Sequence, residues 1–276
     1  VLTFVEANIL LAAQLSTDLG LPGHSTATAA TLLDPAAASA CFDAAGLPRL
    51  ASPHRNGTVP ADAPGGGTEI DVACVSHYGH TSAVAVTRIH PADNAADQLP
   101  ARSVEAEDPL LALVAPLAVA ALDALGVSNA VTAVAMRVDQ DGTPRLTGAT
   151  GCLTSAQGLL VRHATGIDLA RAAADIACGR APDLTQTRRR GAAAQPITAA
   201  EADRLAWLHT DLRLSDPAFL EPLLADSTTS TTVVRQATDD HGAPRLQQLL
   251  AVGPTAGQCL DSLQEAATTM AASARR

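Results

Sequence analysis

The sequence contains no lysine; all 18 basic residues among its 276 are arginine. GC-rich coding accounts for that blandly, yet it leaves the chain without the mobile ammonium point charge that lysine supplies. Aromatic residues make up 2% of the chain and hydrophobic residues 47%, so a core must be built from Ala, Leu and Val. Cys41, Cys74, Cys152, Cys178 and Cys259 are odd in number, scattered, and never in a C-x-x-C spacing. That excludes a recognisable zinc framework and speaks against a disulfide scaffold. The longest apolar run, Leu110 to Leu125, is too short to span a bilayer and holds Pro116 and Asp123. No charged-then-apolar leader opens the chain, and a cytoplasmic location is expected. No G-x-S-x-G turn occurs, so an unrelated serine hydrolase has no nucleophile elbow to build on. The net charge of −10 and pI near 5.1 argue against nucleic acid or an anionic membrane as partner, since both reward basic patches.

What is present reads as a mixed fold. Leu2 to Leu19 has helical periodicity and stops at the breakers from Gly20 to Gly23. A second helix, about Ser25 to Ala45, is interrupted near Asp34 and Pro35. Residues 51–67 are Pro, Gly and polar, the composition of a linker, and Gly65-Gly66-Gly67 lacks the Lys and Ser/Thr of a phosphate-binding P-loop. Thr68 to Ser76 and Ser82 to Ile89 alternate as strands around a turn at Tyr78-Gly79-His80. Pro91 to Ala106 reads as a polar loop, and Glu107 to Leu125 as a helix opened by acidic residues, as its macrodipole favours. Thr132 to Val138 and Arg145 to Thr147 form a hairpin across Asp141-Gly142. A helix-period stretch follows from Leu159 to Arg180. Beyond Arg188, strands are expected at Leu205 to Leu214, Thr231 to Ala237 and Leu246 to Val252, then a closing helix from Thr255 to Ala272 with Thr255 as N-cap.

The hairpin and the stretch after it resemble, in pattern and spacing, the ATP-grasp family, ligases that join a carboxylate to an amine through an acyl phosphate. The family's Asp-Gly turn falls on Asp141-Gly142. Its Ala-Thr-Gly-x-Asp motif falls on Ala164-Thr165-Gly166-Ile167-Asp168. The early helices and their Gly-Leu-Pro turns resemble the family too, and the likeness runs from Leu2 to Ala266. It implies an α+β fold: an ATP-grasp-like core of antiparallel sheet with packed helices, lacking the nucleotide lid subdomain and the preceding βα domain. On that basis residues 1–50 form an N-terminal helical segment, 51–67 a linker replacing the lid, 68–187 the core, and 188–276 a strand-rich segment with a closing helix.

The family's chemistry is another matter. Its cofactors are ATP and magnesium, yet its two metal-binding Glu positions fall on Ala135 and Thr147, its Asn on Ala149 and its phosphate- or substrate-contacting Arg on Gly151. An early Asp-Lys pair and Arg fall on Asp34, Pro35 and Ser39. Magnesium is held by hard oxygen ligands, usually one or two carboxylates with the nucleotide phosphates, so these replacements remove the grip on the metal. Glu69 matches the Glu of the family's Gly-x-Glu strand and is the weak surviving candidate for a nucleotide contact; its bland alternative is a solvated strand-end carboxylate.

Other clusters are weaker still. His77-x-x-His80, with His54 and His90 nearby, could present two imidazoles to a metal but lacks a supporting carboxylate or cysteine spacing. Arg188-Arg189-Arg190 could meet an acidic partner, or be a solvated run. The sequence reading is of a degenerate homologue with no catalytic or metal residue of its own, needing no cofactor and acting as a structural or regulatory subunit. Its partner would be a second copy or an intact ATP-grasp ligase. The alternative is an active ligase that has rebuilt its site with arginines and partner residues.

Overall fold

In the computed structural model, described residues are 1–50, 67–91, 100–153, 155–197, 230–238 and 244–273. They form one eight-stranded antiparallel sheet flanked by helices. The helices are α1 (Ile9–Asp18), α2 (Thr26–Leu33), α3 (Pro35–Ala44), α4 (Leu110–Ala124), α5 (Ser155–Thr165), α6 (Leu169–Ala177) and α7 (Ala256–Ser273). The strands are β1 (Thr68–His77), β2 (His80–His90), β3 (Ala101–Glu105), β4 (Ala130–Val138), β5 (Pro144–Thr150), β6 (Gly191–Ile197), β7 (Ser230–Thr238) and β8 (Pro244–Gly253), in the order β5-β4-β1-β2-β3-β6-β8-β7.

Strand alternation divides the core between the two faces of the sheet. Ala73 and Val75 of β1 point toward α5 and α6, where Leu160, Val161, Ala164, Leu169, Ala172 and Ile176 are buried. Ile70, Val72 and Cys74 point the other way, toward Val114, Ala118, Ala121 and Leu122 of α4 and toward Phe42 of α3. As the composition requires, the packing is of alanine, leucine and valine. Phe42 is the one aromatic side chain among the described buried residues.

Local signals explain most of the element boundaries. Ser25 caps α2, its Oγ accepting the Thr28 N–H at 3.0 Å. Asp34 caps α3, accepting the N–H groups of Ala36 at 2.9 Å and Ala37 at 3.3 Å, and Pro35 takes the first helical position, where its missing N–H costs nothing. Thr255 caps α7 through the Gln258 N–H at 3.3 Å, in line with the expected closing helix.

Three readings are corrected and one strand is added. The stretch Leu2 to Leu19 becomes helical only at Glu6–Asn8, a 3-10 turn that leads into α1. Leu159 to Arg180 is two helices, not one. Gly166 has φ +83, and a β-carbon there would collide with Thr187 Oγ1, so the chain turns out of α5 at a position only glycine fills comfortably. Asp168 then starts α6 by accepting the Arg171 N–H at 2.9 Å. Pro91 to Ala106 is not all loop, because Ala101–Glu105 is β3, paired to β2 and β6. Gly191–Ile197 is a strand that the sequence hides: alanine, glycine and proline are poor strand formers, but β6 is paired on both sides, to β3 and β8, and tertiary pairing overrides propensity. The expected strand from Leu205 to Leu214 and the linker at residues 51–66 lie outside the described residues.

Candidate functional site

β1, β4 and β5 lie side by side, with Asp71 opposite Ala135 and Ala135 opposite Gly148. The next pair in that ladder is Met136 with Leu146, so Thr147 is an extra, unpaired residue in β5. A bulge of this kind bends the strand and re-aims its side chains. Its effect here is that Thr147, Gly148, Ala149 and Thr150, four consecutive residues, all line one cavity of about 460 Å³.

The lining also takes in Leu32 and Leu33 of α2, Pro35, Ala38, Ser39 and Phe42 of α3, Gln157 of α5, and Glu6 and Ala7. The cleft thus gathers Ala135, Thr147 and Ala149, where the resemblance puts metal ligands, with Pro35 and Ser39, where it puts Lys and Arg. Positions separated by about a hundred residues in the sequence thus line one cavity. The Oγ1 of Thr147 is buried without a hydrogen-bond partner.

Two charged residues that sequence reasoning missed lie in the same cleft. Asp71 on β1 and Arg102 on β3 reach toward each other across β2, and Arg102 Nη1 donates to Asp71 Oδ2 at 2.5 Å. Both are largely buried, their side chains 14% and 19% exposed. Burial pushes the Asp71 carboxyl above the usual carboxylate range, and the Arg102 guanidinium opposes that shift. The signal in the sequence is an aspartate between Ile70 and Val72 in an otherwise apolar strand; Arg102 sits in the stretch that reads as loop.

The remaining candidates scatter. Glu69 is on β1 opposite Arg137 and Ile89, two residues from Asp71, and is not among the residues lining the cleft. Gly151 lies just past β5, its carbonyl 3.3 Å from His24 Nε2. His24 is pushed below its ordinary value by burial, which outweighs the opposing hydrogen bond. His77 and His80 are register partners at the β1–β2 turn, with the His77 ring 4.4 Å from that of Tyr78. Among the described residues no group of three or more His, Cys, Asp or Glu is placed to hold a metal. Arg188 and Arg190 donate backbone N–H groups to Thr165 and Ala164, and Arg189 pairs with Glu107 at 3.3 Å on the surface. All five cysteines are free thiols. A second cavity, of about 650 Å³, adjoins the first at Glu6 and Thr150 and runs past Arg162 and Asp168 between α5 and α6. No helix among the described residues is long and apolar enough to cross a membrane.

No protein-family model matches the sequence, and no curated protein matches it. Solved structures do. The chain is similar to an L-amino acid ligase from Bacillus licheniformis, with 17% identity and a TM-score of 0.69 over 97% of this chain and 78% of that one. It is similar to an N5-carboxyaminoimidazole synthase from Aspergillus clavatus, at 12% identity and TM-score 0.65, over 96% and 80% of the two chains. A biotin carboxylase from Campylobacter jejuni gives 11% identity and TM-score 0.62, over 96% and 72%. At such identities it is the fold that is shared, and in its fold this chain stands with the ATP-grasp carboxylate–amine ligases.

Proposed function

We propose that the chain is an ATP-grasp homologue that does not catalyse ligation by itself and serves as a structural or regulatory subunit of a biosynthetic ligase. One observation carries this reading: the cleft where the resemblance puts metal and phosphate contacts is lined instead by Pro35, Ser39, Ala135, Thr147 and Ala149. The donor set does not fit a magnesium nucleotide. Its buried carboxylate, Asp71, is tied to Arg102, its other carboxylate, Glu6, is exposed at the edge, and no lysine exists in the sequence to meet phosphates. Magnesium dehydrates reluctantly and is usually held by one or two carboxylates, and the alanines, hydroxyls and single amide of the lining offer no free one.

The partner is a second copy or an intact ligase subunit. Leu11, Leu15 and Leu19 are 56%, 42% and 64% exposed, and their spacing puts them in one stripe along α1. Apolar surface gathered in this way marks a contact face more often than scattered single residues do. A related fold, the biotin carboxylase domain of a 2-oxoglutarate carboxylase from Hydrogenobacter thermophilus, is described as a dimer.

Calorimetric titration with magnesium ATP tests the reading. The expected result is no heat of binding; a micromolar dissociation constant abolished by EDTA would sink it. The second reading, an active ligase with a rebuilt site, draws on Asp71 and Arg102, a carboxylate and a guanidinium present in the cleft. Steady ADP release by the unaltered protein with amino acid substrates would favour that alternative.

A further inference from the structure

The charges in the buried part of the cleft balance but are not spent. Arg102 donates from Nη1 to Asp71 Oδ2 and makes no other hydrogen bond among the described residues, so its remaining N–H groups and the Asp71 Oδ1 have no partner there. An unused donor and an unused acceptor therefore lie next to each other on the cleft floor. Thr147 adds a buried hydroxyl without a partner, and Ala133 and Ala135, on the same face of the sheet as Asp71, supply apolar surface beside them. A volume near 460 Å³ is within the range of small-molecule sites.

The balance of charge selects the ligand. An anion brought to Arg102 would lie against Asp71, and an ammonium brought to Asp71 would lie against Arg102. Either would add an uncompensated charge where water is scarce, which is costly. A group that offers an acceptor beside a donor meets both residues and adds no charge. We infer that the cleft takes an uncharged ligand ending in a primary carboxamide or an equivalent donor–acceptor pair. Its carbonyl accepts from Arg102, its N–H donates to Asp71, and its apolar body lies along Ala133, Ala135 and Gly148. This rests on the reading of the cleft as stripped of nucleotide and metal contacts, and makes the subunit a sensor of a small neutral molecule.

Three probes that share a ring and differ in charge test it: benzamide, benzoate and benzylamine, titrated into the full chain by ligand-observed NMR, with magnesium ATP as a fourth. The blocking variant is Gly148→Leu. A β-carbon at Gly148 meets nothing within 4 Å, so the added side chain fills cleft space without disturbing the sheet, which circular dichroism verifies. Benzamide is expected to bind at least about tenfold more tightly than either charged probe, as two hydrogen bonds from a neutral group to the two charged side chains allow, and to weaken by at least about tenfold in Gly148→Leu. Equal or tighter binding of a charged probe, benzamide binding unaffected by Gly148→Leu, or no benzamide binding at millimolar concentration would each overturn the inference. Magnesium ATP distinguishes the two levels. Its binding overturns the silent-subunit reading together with this one, whereas silence of both ATP and benzamide overturns this inference alone.

Discussion

Gly151 stands so close to Ile9 that a β-carbon on it would lie 3.0 Å from Ile9 Cδ1, with Leu32 Cδ1 at 3.2 Å and His24 Nε2 at 3.4 Å. The position that the resemblance assigns to an arginine is thus packed shut by the early helices. Gly151→Arg should destabilise the protein by about 1–3 kcal/mol or more, the usual cost of overpacking, and Gly151→Ala by less, since it asks the Ile9 and Leu32 methyl groups to give by only a few tenths of an ångström. Combining Gly151→Ala with Ile9→Ala should cost less than the sum of the two single changes, since neighbours that compete for the same space couple. Urea unfolding of the natural protein, the two single variants and the double variant reads this directly; strict additivity would show that the contact does not restrict residue 151.

A second contact joins distant parts of the chain. Glu105, at the end of β3, accepts the Ala256 N–H at 2.5 Å, so a carboxylate from another element satisfies one of the free N–H groups at the start of α7. Gly191 makes room for this, since a β-carbon there would collide with the Ala256 backbone nitrogen. Replacing Glu105 with Ala removes both the cap bond and a negative charge at the positive end of the helix, and should cost about 1–2 kcal/mol. Glu105→Gln keeps the acceptor and should recover part of that loss. A melting temperature that did not change in Glu105→Ala would show that α7 holds its place by packing alone.

His24 gives the fold a pH dependence of predictable sign. Burial depresses its pKa below 6.5 in the folded state, so the folded protein binds fewer protons than the unfolded chain just below that value. The stability from this group is fully present above pH 6.5 and is lost as pH falls through the folded pKa. His90, depressed first by burial and then by the Arg88 charge, acts in the same direction. Lowering the pH from about 7 to about 5 should therefore lower the melting temperature of the natural protein more than that of His24→Gln. Parallel curves for the two proteins would remove His24 from the account.

How much of this is legible in the sequence follows the physics of each signal. Caps and breakers are local, so Asp34-Pro35, Gly20 and Thr255 can be read one at a time, and the alternation of β1 and β2 announces their hairpin. β6 cannot be read, because its alanines say nothing until β3 and β8 are known to flank it. The cleft is half legible. Ala135, Thr147 and Ala149 can be named from motif spacing, and they do converge, but the Asp71–Arg102 pair needs the strand order, since its partners are joined only across β2. The bulge at Thr147 is equally hidden, because a bulge is a property of a pairing and not of a residue.

The last prediction asks whether metal ligands alone would restore chemistry. Ala135→Glu, Thr147→Glu and Ala149→Asn would return two carboxylates and an amide to the cleft, at the positions that the resemblance assigns. The carboxylate introduced by Ala135→Glu would project from the position directly opposite Asp71, its register partner, at roughly 5 Å between β-carbons. Like charges so close raise each other's pKa, and both would compete for Arg102. The expected result is that one carboxylate stays protonated and the cleft holds metal poorly. Even a bound metal would leave phosphates without any lysine, since the sequence has none, and phosphoryl transfer depends almost wholly on positioning and on such charges. Losing one preorganised stabilising donor commonly costs about 3 kcal/mol, on the order of a hundredfold in rate, so the lack of any lysine would remove measurable turnover. The triple variant should therefore release no ADP above a matched blank when offered magnesium ATP and a panel of amino acids. Substrate-dependent ADP release would show instead that this scaffold lacked only its metal ligands, and the silent-subunit reading would have to be given up.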